Sequence, residues 1–160
     1  MTRKDQRASL PDLDTRSQVH DAVVRFYREI VFDDVLGPVF EEVAEVDWSV
    51  HIPKLIDFWC RVLLGEPGYD GYLLHAHAAV HDMETFRPEF FERWLRLFIE
   101  TVDDGWEGPF ADKAKAHARH VAAVLARRLG VGWVPEAAPV TFVGAAPARV
   151  SGDDQPSLAG

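Results

Sequence analysis

The sequence has little cysteine and no long hydrophobic run. Cys60 is the single cysteine among 160 residues, which excludes an internal disulfide and a cysteine cluster for zinc or an iron–sulfur centre. No apolar run approaches the roughly 20 residues that a membrane-spanning helix needs, so we expect no membrane partner. Residues 1–7 are charged and no hydrophobic run follows them. We therefore expect no signal peptide and a cytoplasmic protein.

Positive charge is also scarce. Seventeen lysine and arginine residues stand against 26 acidic residues, and the formal net charge is −9. No basic patch interleaved with aromatic residues is present, which argues against a nucleic-acid partner. The sequence also lacks a glycine-rich phosphate loop, a His-Glu-x-x-His motif and a Gly-x-Ser-x-Gly motif. The apolar fraction of 48% nevertheless indicates a globular domain with a sizeable core.

Helical periodicity is the main pattern that is present. It predicts an all-α fold with main helices at about 18–32, 48–64, 88–103 and 111–129, and short helical pieces at 39–43 and 72–83. Ser17 and Asp47 are the predicted caps of the first two main helices. We divide the chain into a flexible N-terminal arm over 1–15, one domain over 16–134, and a flexible tail over 135–160 that is rich in proline, alanine and glycine.

The predicted helix 48–64 is apolar on most of its circumference. Trp48, Leu55 and Trp59 recur along one stripe, and His51 heads a second stripe beside it. A helix on the surface of a globular protein normally buries only about a third of its circumference. This helix is therefore either the centre of a bundle or one wall of a pocket.

Three histidines follow a glycine-rich turn, at positions 75, 77 and 81. His77 and His81 are four residues apart, so on a helix they share a face and a metal pair is conceivable. The alternative, which sequence statistics favour, is a set of solvated histidines on a polar segment. A different pairing places His51 and one histidine of this segment on opposite sides of a slot. A flat cofactor such as an iron porphyrin would meet an imidazole on each face there.

Two amphipathic aromatic residues, Tyr27 and Trp94, lie on otherwise apolar helical stripes. They could supply a hydroxyl and an indole N–H to the open face of such a cofactor. The alternative for each is an ordinary aromatic residue at the edge of the core, with its polar tip in water.

A series of motifs over about residues 17–129 occurs in the order and near the spacing of a known family. The motifs are Phe26-Tyr27, Leu36-Gly37-Pro38-Val39-Phe40, Trp48 with His51, Phe58-Trp59, Leu63-Leu64-Gly65, Tyr69-x-Gly71, His77, and Phe91-x-x-Trp94-Leu95-x-x-Phe98. Taken together, they resemble the truncated haemoglobins of group III, which are small bacterial globins. The resemblance implies a two-over-two helical sandwich around a b-type haem, iron protoporphyrin IX.

The resemblance also implies roles for individual residues. His77 is similar to the iron ligand, although the segment between His77 and Phe86 is longer than the family's shortest version, which leaves His75 and His81 as alternatives. The residues that look like distal polar groups are Tyr27, His51 and Trp94. Leu55 looks like the apolar gate residue and Phe40 like the phenylalanine on the haem plane. Phe58 is expected at the haem, and Lys54 and Arg61 are candidates to pair with its propionates.

The implied function is reversible binding of dioxygen, carbon monoxide or nitric oxide, with oxygen binding or transport as the general role. The enzymatic alternative is nitric oxide dioxygenation or peroxidase-like chemistry with a reductase partner. A third hypothesis, from another class, is a haem-free helical interaction or sensor domain.

Overall fold

The computed structural model describes residues 8–43, 46–69, 77, 81 and 85–136. Its helices are α1 (Arg16–Phe32), the short α2 (Leu36–Pro38) with a π-helical turn (Val39–Val43), α3 (Trp48–Leu64), α4 (Pro88–Gly105) and α5 (Pro109–Arg128). This part of the chain contains no strand, and the predicted all-α class is confirmed. None of these helices is both long and apolar enough to cross a membrane.

The four long helices form two packed pairs. α1 packs against α3, and α4 packs against α5, while further contacts join α1 to α4 and α3 to α5. The interface between the pairs is built from large side chains that are almost completely buried, such as Phe26, Trp59 and Phe98. Small residues of α5, including Ala114 and Ala118, are fully buried and allow this helix to approach closely.

The ends of the helices are set by local capping. Asp47 caps α3 as predicted, because its carboxylate accepts the backbone N–H of Ser49 at 3.0 Å. The prediction of Ser17 as the cap of α1 is wrong. Thr15 is in extended conformation, and its hydroxyl accepts the N–H of Gln18 at 3.2 Å, so α1 begins at Arg16. Gly65 ends α3 in the left-handed conformation, with φ of 70°.

Residues 8–15 do not fit the predicted flexible arm. Leu13 is 2% exposed, and the carboxylate of Asp12 accepts the N–H groups of Phe110 and Ala111 at 3.1 and 2.8 Å. Asp12 therefore caps α5, whose own N-cap residue, Gly108, has no side chain to do so. A Cβ atom at Gly108 would lie 2.6 Å from the Asp12 carboxylate, so this approach requires glycine.

Two predicted segments lie mostly outside the described residues. One is the tail predicted over 135–160, of which only residues 135 and 136 are described. The helical segment predicted over 72–83 is described only at His77 and His81, and both of these residues are helical.

Candidate functional site

A cavity of about 360 Å³ lies among the helices, a volume within the range typical of ligand and cofactor sites. Most of its lining is aliphatic or phenylalanine. Among the described residues, the lining side chains that carry polar atoms are Tyr27, His51, Trp59, His77 and Trp94. The cavity therefore offers an apolar interior with a few hydrogen-bonding groups.

Tyr27 and Trp94 form one polar pair at this cavity. Tyr27 is 5% exposed, and burial raises the pKa of its phenol above the ordinary value, against a smaller lowering by a hydrogen-bonding interaction with Trp94. An indole N–H can only donate, so the Tyr27 oxygen is the acceptor. The phenol stays protonated at neutral pH, and its own O–H remains available to donate into the cavity.

His51 lies beside this pair. Its ring is 5.7 Å from the ring of Tyr27, edge to face, and 6.4 Å from that of Phe40. Burial first, and then the neighbouring His77 and Lys54, lower the pKa of His51 to about 4. His51 is therefore neutral at neutral pH and presents one N–H donor and one acceptor nitrogen.

His77 lines the cavity and is close enough to His51 to lower the pKa of that imidazole. The resemblance implied roles for nine residues, and seven of them line the cavity: Tyr27, Phe40, His51, Leu55, Phe58, His77 and Trp94. Lys54 is exposed and is absent from the lining. The guanidinium of Arg61 donates to the backbone carbonyl of Tyr69 at 3.4 Å.

His81 has a different environment. The backbone N–H of Phe86 donates to its Nδ1 at 2.9 Å, and His81 does not line the cavity. In a neutral imidazole whose Nδ1 accepts, the proton is on Nε2, so neither nitrogen has a free lone pair. This arrangement disfavours His81 as a metal ligand. His75 is outside the described residues.

Sequence reasoning missed a large part of the wall. Phe86, just before α4, and Phe90, in the first turn of α4, line the cavity, and Val121, Ala122 and Leu125 line it from α5. Their apolar spacing indicated a buried helix face. It could not show which part of that face borders a cavity and which part packs on another helix.

The sequence and the structure were compared with those of known proteins. No family model matches the chain. The chain is 38% identical over 81 residues to the group 3 truncated hemoglobin ctb of Campylobacter jejuni subsp. jejuni serotype O:2 (strain ATCC 700819 / NCTC 11168). That match spans 49% of this chain and 61% of the relative, which is less than two thirds of the relative's length.

The comparison of structures covers more of both chains than the comparison of sequences. The structure is similar to the crystal structure of the group III truncated hemoglobin from Campylobacter jejuni, with a TM-score of 0.63 and 30% sequence identity. The similarity covers 72% of this chain and 91% of the solved one. The structural similarity agrees with the all-α fold, and the chain belongs to the group III truncated haemoglobins, a family of globin haem proteins.

Proposed function

We propose that the cavity binds a b-type haem with His77 as the iron ligand, and that the chain binds dioxygen and other diatomic gases reversibly. The observation that carries this proposal is the pair of imidazoles, His51 and His77, which both line a cavity whose described wall is mostly aliphatic or phenylalanine. A porphyrin requires an apolar cage and one neutral imidazole as a permanent ligand. The residues present fit that requirement.

When bound, the haem supplies a coordination position at which the gas binds. Tyr27 acts on that gas by donating a hydrogen bond from its hydroxyl group, because burial keeps the proton on the phenol. Electron-rich ligands such as dioxygen gain most, because an oriented donor in a dry cavity stabilises partial negative charge better than water does. Trp94 supports the donor by holding the Tyr27 oxygen, and His51 contributes a second, neutral donor.

Apolar residues of the cavity would pack against the porphyrin ring. Phe40 and Phe58 present aromatic surface to the cavity, and Leu55 lies one turn after His51 on the same helix. We propose that Lys54 pairs with a haem carboxylate, because this residue is exposed and is adjacent to Leu55 on α3. Arg61 is a weaker candidate, since its guanidinium already donates to Tyr69.

Oxygen binding or transport is the general role that we propose, in the cytoplasm. The Tyr27–Trp94 interaction favours a second candidate, nitric oxide dioxygenation or peroxidase-like chemistry with a reductase. A donor that is buried and held in place slows the release of an electron-rich ligand. Slow release suits redox chemistry on the ligand better than rapid delivery.

The test is haem uptake by the wild type and by three histidine variants. The wild-type chain should show a Soret band, and His77→Ala should lose stable haem or recover it when imidazole is added to the buffer. His75→Ala and His81→Ala are the controls for ligation: the haem that they bind should keep the wild-type coordination spectrum, although His81→Ala also removes the acceptor of the Phe86 N–H. If His77→Ala is normal and a control variant is not, the ligand assignment is wrong. A wild type without a Soret band after reconstitution would instead favour the haem-free interaction domain.

A further inference from the structure

The chain turns back on itself directly after α5. Gly130 is in the left-handed conformation, with φ of 72°, and the N–H of Val131 donates to the carbonyl of Ala126 at 2.8 Å. This bond is typical of a glycine-terminated helix. Because of this bond, residues 131–134 run back along α5 and contact its last turns.

The reversal brings Trp133 onto the outside of the cavity wall. The ring of Trp133 stacks on that of Phe91, with centroids 5.6 Å apart and an angle of 26° between the planes. Phe91 is 6% exposed and lines the cavity. The same cluster contains Ala122 and Leu125, which line the cavity from α5. Trp133 therefore contacts the wall of the cavity from behind and is not part of the lining.

Aromatic contacts hold the start of α4: the ring of Phe86 lies 6.0 and 6.1 Å from those of Phe90 and Phe91, and the Arg87 guanidinium lies over the Phe90 ring. The N-cap residue of α4, Arg87, forms no side-chain capping hydrogen bond. Phe90 and Phe91, in the first turn, are buried and carry the contact of this turn with the rest of the domain. Since an aromatic side chain brings a large apolar contact area, the Trp133 ring is a substantial part of what holds Phe91 in place.

We propose that Trp133 is a positioning residue for the cofactor: it holds Phe91 and the first turn of α4 against α5 and thereby keeps the cavity closed on that side. This inference rests on the proposed function. Loss of the ring should let the first turn of α4 open more often, and haem should leave through the loosened wall.

The first test is the rate of haem transfer to an excess of an acceptor apoglobin. Trp133→Ala should accelerate haem loss about tenfold, which corresponds to about 1.4 kcal/mol, and Trp133→Phe should restore most of the retention. Val134→Ala is the matched control, because Val134 is adjacent and 83% exposed. Val19→Ala controls for general destabilisation, since Val19 is 1% exposed in α1 and does not line the cavity.

The second test uses the haem-free chain and hydrogen exchange of the amides in residues 88–94. Trp133→Ala should raise exchange there, and Val134→Ala should not. If Trp133→Ala loses haem no faster than Val19→Ala, or leaves exchange in 88–94 unchanged, the Trp133 inference is overturned while the proposed function stands. A wild-type chain that takes up no haem overturns the proposed function and the cofactor role of Trp133 together.

Discussion

The interaction between Trp94 and Tyr27 predicts that these two residues act as one unit on a bound gas. The Trp94 indole N–H acts on the Tyr27 phenol and lowers its pKa, so we expect Trp94 to work through Tyr27 and not as an independent donor to the ligand. Tyr27→Phe removes the hydroxyl and keeps the ring, which packs edge to face on Phe26 at 4.8 Å. The fold should therefore survive this substitution.

The size of the effect follows from the charge of the acceptor. A hydrogen bond to a charged or partly charged group contributes roughly 1.5–3 kcal/mol, so Tyr27→Phe should speed oxygen release by on the order of ten- to a hundredfold. Carbon monoxide binds with little negative charge and should be affected much less. Trp94→Phe should have a smaller effect in the same direction, because it weakens the orientation of the Tyr27 donor without removing it.

The assay is a double-mutant cycle on dissociation rates, measured by stopped flow for both gases. In the Tyr27→Phe background, Trp94→Phe should change oxygen release little, because the donor that Trp94 orients is already gone. Equal acceleration by Trp94→Phe in both backgrounds would show two independent donors and refute the relay through Tyr27. Equal shifts for oxygen and carbon monoxide would indicate a steric effect and refute the polar mechanism altogether.

Three further predictions concern groups outside the distal pair. Asp12→Ala should lower the free energy of unfolding by about 1–2 kcal/mol in urea denaturation, because α5 loses its cap; an unchanged midpoint would contradict this. Asp33→Ala should cost about 1–3 kcal/mol at pH 7, since the Asp33 side chain is 5% exposed and paired with Arg93. Burial alone would raise the pKa of Asp33, but hydrogen bonds from Arg93 and two backbone N–H groups outweigh it and hold the pKa below the ordinary value. The stabilisation is thus present above about pH 4 and is lost as the pH falls through the lower folded-state pKa, so wild type and variant should converge in acid; a constant difference would refute the pairing. His81→Leu removes the acceptor of the Phe86 amide and should speed haem loss while keeping the wild-type coordination spectrum, whereas loss of that spectrum would make His81 the ligand.

The positions of the helices were predictable because their signals are local. Asp47 and Gly65 bracket α3 as the sequence indicates, since a cap and a left-handed glycine act within a few residues. The cap of α1 was misplaced by two residues. Ser17 and Thr15 are both suitable capping residues, and only the backbone conformation at Thr15 decides between them.

The contacts that could not be predicted join distant parts of the chain. Asp12 was assigned to a flexible arm because its partners lie about a hundred residues away, at Phe110 and Ala111. Trp133 follows the last predicted helix, and its partner Phe91 lies about forty residues earlier, on α4. Neither pairing leaves a local pattern in the sequence.

The candidate site was predictable to the extent that it follows family motifs. Those motifs identified Tyr27, His51, His77 and Trp94, and all four line one cavity. The interaction of Trp94 with Tyr27 was missed, because it depends on how α1 and α4 are rotated about their axes. For the same reason, sequence periodicity could not show which residues of α5 border the cavity.

The cap that Asp12 provides for α5 also constrains the order in which the domain assembles. During synthesis Asp12 is made early, but α5 (Pro109–Arg128) is among the last of the described helices to be made. Its first turn cannot complete the hydrogen bonds to Asp12 until the two ends of the domain have met, and contacts of such large sequence separation form slowly. Because α5 supplies part of the cavity wall, the cavity is complete only after α5 has been made and has packed on the other helices. Capture of a cofactor is therefore expected to follow the closure of the chain on itself and not to guide it.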